Sequence, residues 1–306
     1  METPKPSWLR RRFSADGVSP KVRSIIQAGG LNTVCAEAHC PNQCECFGRG
    51  MATFLLLGPA CTRRCTFCAV DKSAVQTVDV EEPARIGRAV ARLGLDFCVL
   101  TMVTRDDLPD GGAAHVARTA AAIRREAPGI RIELLISDLA ANWDALETVL
   151  CSRPEVLNHN METVPRLYQS VRPGADYGRS LELISRSSAH VSHPVTKSGI
   201  MLGLGETREE VLSVLADLRQ AGCSLLTLGQ YLAPSDKHHP VIRYVPPEEF
   251  AAYQEQALAI GFRAVASSPL VRSSYQASRL YEAGRACVET DRPKTERSQN
   301  GSYSYR

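Results

Sequence analysis

The stretch TFLLLGPACTRRCTFC, residues 53–68, decides the fold of this 306-residue chain. Its first part, residues 53–57, is a short apolar run that predicts a buried strand, and Gly58 ends that run. Three cysteines in the spacing C-x3-C-x2-C follow almost at once: Cys61, Cys65 and Cys68. A strand that leads directly into a cysteine loop indicates chemistry at the carboxyl end of a strand.

Downstream of this stretch, strand patterns and amphipathic helix patterns alternate about six times. The later predicted strands lie near residues 96–103, 131–136, 155–158, 199–204, 224–228 and 262–266. Such alternation predicts an α/β fold whose parallel strands are joined by right-handed crossovers. Six units are fewer than the eight of a complete barrel, so we expect a partial (β/α)6 TIM-like barrel with N-terminal and C-terminal extensions.

We expect four regions along the chain. Residues 1–50 form an N-terminal extension that carries the first cysteines, and residues 51–268 form the partial barrel. Residues 269–289 form a C-terminal segment. Residues 290–306 are polar and poor in core-forming side chains, which predicts a disordered tail.

Composition and charge limit the functional classes. The net charge of +3 is too small to favour a nucleic-acid partner. No apolar run approaches the length of a membrane span, and no signal peptide is recognisable, so we expect no membrane partner. A cysteine-rich chain without a secretion signal is expected in the cytoplasm, where thiols stay reduced and serve metals or redox chemistry.

Seven of the eleven cysteines fall between Cys35 and Cys68, in two groups of three and one extra residue, Cys44. The first group has the spacing C-x4-C-x5-C: Cys35, Cys40 and Cys46. A structural zinc site needs four ligands, whereas neither group has a nearby C-x2-C partner. Three thiolates suit a four-iron cluster that keeps one iron open for another ligand. The spacing by itself leaves buried thiols or a zinc site as alternatives.

The second group, with Phe67 directly before its last cysteine, resembles the signature of the radical S-adenosylmethionine superfamily. The resemblance implies that this group holds a [4Fe-4S] cluster whose open iron binds S-adenosyl-L-methionine. An electron delivered there would cleave the sulfonium and yield a 5′-deoxyadenosyl radical.

Further contacts to the cofactor are expected from polar residues and glycines that follow two later strands. These candidates, in addition to Phe67, are Asn158, Asn160, Glu162, Gly203 and Gly205. Capping of a strand end explains the three polar residues equally well. A turn before a helix is the alternative for the two glycines.

From about residue 5 to residue 285, the chain resembles the lipoyl synthase family. The matching motifs, in chain order, are LNTVC, the first cysteine group, CTRRCTFCAV, RDDLPDGG, NHNMETVPRLY, VRPGADY, KSGIMLGLGET, GQYLAP, HPV and PLVRSSY. The resemblance implies a second, auxiliary [4Fe-4S] cluster on the first cysteine group. Its fourth ligand in the family is a serine of the R-S-S-Y motif. We assign this role to Ser274, with Ser273 as the alternative.

The same resemblance implies a sulfurtransferase. It would insert two sulfur atoms, at C6 and C8, into an octanoyl group on a lysine of a lipoyl carrier domain, and the auxiliary cluster would supply the sulfur and be consumed. The implied carriers are 2-oxoacid dehydrogenase E2 subunits and the glycine cleavage H protein. An electron donor such as ferredoxin or flavodoxin and an iron–sulfur carrier for cluster repair are also implied.

Two other functions remain open at this point. The chain departs from the usual family pattern at Cys44, Phe47, Met102 and Ser268, although none of these removes an expected cluster ligand. These departures allow a diverged sulfur-inserting paralogue that acts on another acyl carrier. A two-cluster electron carrier is the second alternative, but such a protein needs neither a large cavity nor a serine ligand. Cys44 either competes for iron or lies exposed beside the auxiliary cluster, and we favour the second interpretation.

Overall fold

The computed structural model describes residues 5–9, 20–38, 40–49 and 51–291. Most of the predicted disordered tail, residues 292–306, lies outside the described residues. Thr290 and Asp291 belong to the last helix, which therefore runs past the expected boundary at residue 289.

Seven parallel strands form one sheet whose spatial order is the chain order. The strands are β1 (Thr53–Leu56), β2 (Phe97–Met102), β3 (Arg131–Leu135), β4 (Val156–Asn158), β5 (Val195–Leu202), β6 (Leu225–Gln230) and β7 (Ala264–Ser267). Within the described residues β1 and β7 do not pair with each other, so the barrel stays open. Six strand–helix units followed by a seventh strand confirm the predicted α/β partial barrel.

Eleven α-helices occur in the part of the chain that is described. They are α1 (Pro20–Ala28), α2 (Val34–Glu37), α3 (Gln43–Gly48), α4 (Glu82–Leu93), α5 (Ala113–Glu126), α6 (Trp143–Cys151), α7 (Tyr168–Val171), α8 (Tyr177–Ala189), α9 (Arg208–Gln220), α10 (Pro247–Ile260) and α11 (Ala277–Asp291). Short 3-10 turns cover Ser7–Leu9, Leu139–Ala141 and Pro165–Leu167. Local sequence explains the ends: α9 begins with a capping box between Thr207 and Glu210.

Two segments of the chain contain only short helices. Cys35 lies on α2 and Cys46 lies on α3. Thr33 stabilises the start of α2, because its hydroxyl accepts a hydrogen bond from the Ala36 N–H at 3.3 Å. Residues 162–171 form a 3-10 turn and α7 rather than one continuous helix, since Glu162 has a left-handed φ of 64°.

A fully buried ion pair joins two strands of the sheet. The Lys197 Nζ on β5 lies 2.8 and 3.0 Å from the carboxylate oxygens of Glu133 on β3, and both side chains are 0% exposed. A buried charge is tolerated when it is paired and hydrogen-bonded. The pair therefore sets a fixed polar point in the interior of the sheet.

The segment that follows β7 turns back over the carboxyl end of β6. The Ser268 N–H donates to the Leu228 carbonyl at 3.2 Å, and the Gln230 N–H donates to the Pro269 carbonyl at 3.2 Å. At Gly229 an added Cβ would lie 2.1 Å from the Val271 carbonyl oxygen. Only glycine allows the two backbones to approach this closely.

We predict that Gly229→Ala displaces this segment from the sheet. Overpacking against backbone costs about 1–3 kcal/mol, which should lower the urea midpoint and speed cleavage after residue 268 in limited proteolysis. Gly178→Ala is the matched control, because its nearest neighbour would lie at an ordinary 3.4 Å. Equal stability and equal cleavage of Gly229→Ala and Gly178→Ala would contradict the packing argument.

Candidate active site

Both cysteine groups line one cavity of about 620 Å³ at the carboxyl edge of the sheet. The six lining cysteines are Cys35, Cys40, Cys46, Cys61, Cys65 and Cys68. All six are free thiols rather than disulfides. The fold thus brings together the two groups that the sequence separates by a strand.

The first group is held by α2, α3 and the turn between them. The Cys40 N–H donates to the Cys35 carbonyl at 3.1 Å, which closes this turn. Burial raises the pKa of the Cys35 thiol to about 11 and that of the Cys46 thiol to about 12. The charges of the neighbouring thiolates add to both shifts.

The second group lies in the loop after β1, and hydrogen bonds to two other segments fix this loop. The Cys61 N–H donates to the Asp71 carbonyl at 2.8 Å, and the Thr66 hydroxyl donates to the Ser170 carbonyl at 2.8 Å. Burial raises the pKa of Cys68 to about 12 and also raises that of Cys65. Nearby thiols contribute to both shifts.

The donor sets fit iron–sulfur clusters. Each group offers three thiols to the cavity, and no fourth cysteine joins either group among the described residues that line it. This is the donor set that a cluster with one distinct iron would need. Raised thiol pKa values mean that the thiolates form favourably only when a cation compensates their charge. Cys44 is not among the residues that line the cavity, so the extra thiol does not complete either group here.

The C-terminal segment reaches the first group. Ser273 and Ser274 both line the cavity. The Asn42 side-chain amide donates to the Leu270 carbonyl at 2.7 Å, and the Tyr275 hydroxyl donates to the Glu45 carboxylate at 2.9 Å. These two hydrogen bonds fasten the segment to α3, which carries Cys46.

The two serines differ in their hydrogen bonds. The Ser273 hydroxyl accepts from the Asn158 Nδ2 at 2.9 Å and donates to the Asn160 Oδ1 at 2.9 Å. The Ser274 hydroxyl forms no hydrogen bond within the described residues and is only half-buried. Of the two oxygens, that of Ser274 is free to take another partner.

The residues predicted to contact the cofactor differ in their position relative to the cavity. Phe67, Asn160 and Glu162 line the cavity, with Glu162 held by the Asn160 Nδ2 at 3.0 Å. Burial raises the pKa of Glu162, and the positive charge of Arg172 opposes that rise. Asn158 lies beneath the cavity wall, 0% exposed, and donates to Glu133.

Gly203 and Gly205 are not among the residues that line the cavity. Both have a left-handed φ, 99° and 113°, in the turn that leads to α9. At Gly203 an added Cβ would lie 2.3 Å from the Arg243 carbonyl oxygen. Turn geometry and packing account for both glycines, and their contact with a cofactor stays a prediction.

Arg172 is a cavity residue that the sequence analysis did not select. It is 9% exposed and donates to the carbonyls of Asn160 and Met161 at 3.0 and 2.9 Å. Its Nε is buried and has no hydrogen-bond partner among the described residues. Arg172 belongs to the motif VRPGADY, but this pattern does not indicate that its side chain extends to the residues that follow β4.

Comparison with known proteins agrees with this geometry. Residues 55–218 match the model of the Radical SAM superfamily. The chain is similar in fold to methylornithine synthase (PylB), with a TM-score of 0.54 and 14% identity over 83% of this chain and 72% of that one. It is also similar to the hydrogenase maturase HydG, with a TM-score of 0.56 and 13% identity over 82% and 57% of the two chains. Fold and site together define a radical SAM enzyme.

Comparison with curated relatives shows which family of radical SAM enzymes the chain is similar to. The lipoyl synthase of Trichlorobacter lovleyi is 54% identical over 90% of this chain and 97% of its own length. That of Desulfotalea psychrophila is 51% identical over 92% and 94% of the two chains. The chain belongs to the lipoyl synthase family.

In the part of the chain that is described, every helix is too short or too polar to span a membrane.

We predict that Cys44 is dispensable for cluster binding, whereas Cys46 is required. After anaerobic reconstitution, Cys44→Ala should keep about eight iron atoms per chain, as two four-iron clusters demand. Cys46→Ala should keep about four, because one group loses a thiolate. The measurement is iron and sulfide analysis of both variants, and equal loss of iron would contradict the assignment.

Proposed function

We propose that this chain inserts two sulfur atoms, at C6 and C8, into an octanoyl group carried by a lysine of a lipoyl carrier domain. The observation that carries this proposal is the shared cavity, which holds two groups of three thiols and the unengaged hydroxyl of Ser274. A radical SAM reaction that needs only one cluster would not require the second group of thiols. An electron carrier would not require the cavity.

Cys61, Cys65 and Cys68 would hold the cluster that binds S-adenosyl-L-methionine, and Cys35, Cys40, Cys46 and Ser274 would hold the auxiliary cluster. When bound, the first cluster and S-adenosyl-L-methionine would supply the radical chemistry that removes hydrogen from saturated carbon. The auxiliary cluster would supply the sulfur that replaces this hydrogen. The protein contributes the ligands, the orientation of the substrate and the exclusion of water.

The apolar part of the cavity wall suits an octanoyl chain. It is formed by side chains of β1, β2, β3 and β5 and of the loops that follow, including Leu55, Val99, Met102, Leu135, Ile136 and Ile200. An extended chain of eight carbons can lie along such a wall without a polar partner. The same wall keeps water away from a reactive carbon atom.

The polar part of the wall suits the amino-acid portion of S-adenosyl-L-methionine. Arg172 offers an unpaired, buried Nε–H, which is a natural donor to a carboxylate. Glu162 and Asn160 present acceptors and donors beside it, and Phe67 adds an apolar surface. All four line the same cavity as Cys65.

Ser274 as the fourth auxiliary ligand is supported by its free hydroxyl. An oxygen ligand binds iron less tightly than a thiolate does. A weakly held ligand can leave when the cluster gives up sulfur. Ser273, with its donor and acceptor both engaged, is the poorer candidate.

The proposed chemistry requires three kinds of partner. A lipoyl carrier domain presents the octanoyl-lysine, as in 2-oxoacid dehydrogenase E2 subunits and the glycine cleavage H protein. An electron donor such as ferredoxin or flavodoxin reduces the first cluster. An iron–sulfur carrier rebuilds the auxiliary cluster, because each product consumes it.

The test is anaerobic reaction of the reconstituted chain with S-adenosyl-L-methionine, a reductant and an octanoyl-lysine peptide. The chain should form both 5′-deoxyadenosine and a lipoyl peptide. Absence of 5′-deoxyadenosine would overturn the radical function. Deoxyadenosine without a lipoyl peptide would favour a paralogue that acts on another acyl carrier.

We predict that Ser274→Cys keeps cofactor cleavage and loses sulfur insertion by about two orders of magnitude, because a thiolate does not release its iron as readily. Mass spectrometry of the peptide and chromatography of 5′-deoxyadenosine measure the two outcomes. Ser278→Cys, which adds a thiol to the same cavity, is the control and should form product. Product formation by Ser274→Cys would contradict the ligand assignment.

A further inference from the structure

A chain of hydrogen bonds connects the buried interior of the sheet with the partly buried R-S-S-Y segment. We propose that Ser273 is a positioning residue, which uses this chain to fix the backbone of Ser274 at the auxiliary site. The inference rests on the function proposed above and assigns a role to the first serine, which binds no iron itself.

The chain begins at the buried ion pair of Lys197 and Glu133. The Glu133 carboxylate accepts from Lys197 at 2.8 and 3.0 Å and from the Asn158 Nδ2 at 2.8 Å. A carboxylate that pairs with a lysine can only accept. The Asn158 amide must therefore point its nitrogen toward Glu133, although its Oδ1 is then left buried without a partner among the described residues.

This fixed amide determines the orientation of the Ser273 hydroxyl. The second Nδ2 hydrogen of Asn158 points to Ser273, so the serine oxygen accepts there at 2.9 Å. The Ser273 hydroxyl hydrogen then donates to the Asn160 Oδ1 at 2.9 Å, and the Asn160 Nδ2 donates to Glu162 at 3.0 Å. Every donor in the series meets an acceptor, and each direction follows from the Lys197–Glu133 pair.

The hydrogen bonds of Ser273 act at the middle of the segment that follows β7. The segment is held at one end by the Gln230 N–H, which donates to the Pro269 carbonyl at 3.2 Å, and at the other by Tyr275 on Glu45 at 2.9 Å. Ser273 ties the middle of the segment to the end of β4. Because adjacent Cα atoms are about 3.8 Å apart, the bonds of Ser273 also restrain Ser274.

A serine ligand depends on such restraint more than a cysteine ligand does. Its oxygen forms a weaker bond to iron, and a single side-chain torsion separates this oxygen from the backbone. A mobile backbone would hold the oxygen away from the iron for part of the time. An iron without this ligand would be released more readily when the cluster is oxidised.

The experiment compares reconstituted Ser273→Ala with the unaltered chain, both saturated with S-adenosyl-L-methionine so that the open iron of the other cluster is covered. Brief mild oxidation is followed by electron paramagnetic resonance, which counts [3Fe-4S] clusters. Ser273→Ala should give about tenfold more of this signal, as the loss of one partly buried hydroxyl that both donates and accepts a hydrogen bond implies. Asn158→Ala should give a similar increase, and the double variant no further one.

Two controls separate positioning from general destabilisation. Ser187→Ala removes a more deeply buried hydroxyl, bonded to the Leu183 carbonyl at 2.7 Å outside the cavity, and should leave the signal unchanged. Ser273→Thr keeps the hydroxyl and should restore most of the stability of the cluster.

The result that overturns the proposal is an unchanged [3Fe-4S] signal in Ser273→Ala, or an equal increase in Ser187→Ala. Loss of the entire auxiliary cluster in Ser273→Ala, with retention in Ser274→Ala, would mean that Ser273 is itself the ligand. An unaltered chain that makes no lipoyl peptide overturns the proposed function. The signal ratio still tests the role of Ser273 in that case.

Discussion

The Lys197–Glu133 ion pair is the constraint on which the site depends. Both charges lie inside the sheet at 0% exposure, so neither can be removed alone without leaving an uncompensated charge in an apolar interior. The pair orients Asn158 and, through it, the serine of a segment more than a hundred residues away in sequence. Hydrogen bonds thus connect a charged interaction within the barrel to a loop at its rim.

The parallel sheet explains how distant cysteines come together. All seven strands present their carboxyl ends at one edge, and the loop after β1 places the second cysteine group there. The first group precedes β1 in the chain, so α2 and α3 must fold back over the same edge. The segment after β7 completes the enclosure from the other side, where Gly229 permits its close approach. Neither cysteine group is enclosed by its own segment alone.

Local sequence patterns were sufficient to predict the strands, their parallel order and the cysteines of the cavity. Apolar runs, glycine stops and alternating periodicity all act over a few residues, and the structure confirms the α/β barrel they imply. The long-range contacts of individual side chains could not be predicted from these local patterns. Nothing near Ser273 indicates that two asparagines engage it, and nothing near Arg172 indicates that its guanidinium reaches the cavity. The short helices around Cys35 and Cys46 were also missed, because four to six residues carry too little periodicity.

We infer that the segment after β7 completes the auxiliary site with the Ser274 oxygen. The most direct measurement is an anaerobic crystal structure of the reconstituted chain. We predict an auxiliary cluster on Cys35, Cys40 and Cys46, whose fourth iron is bound by the Ser274 Oγ while Ser273 remains between its two asparagines. A fourth iron bound by Ser273, by Cys44 or by water would contradict the claim.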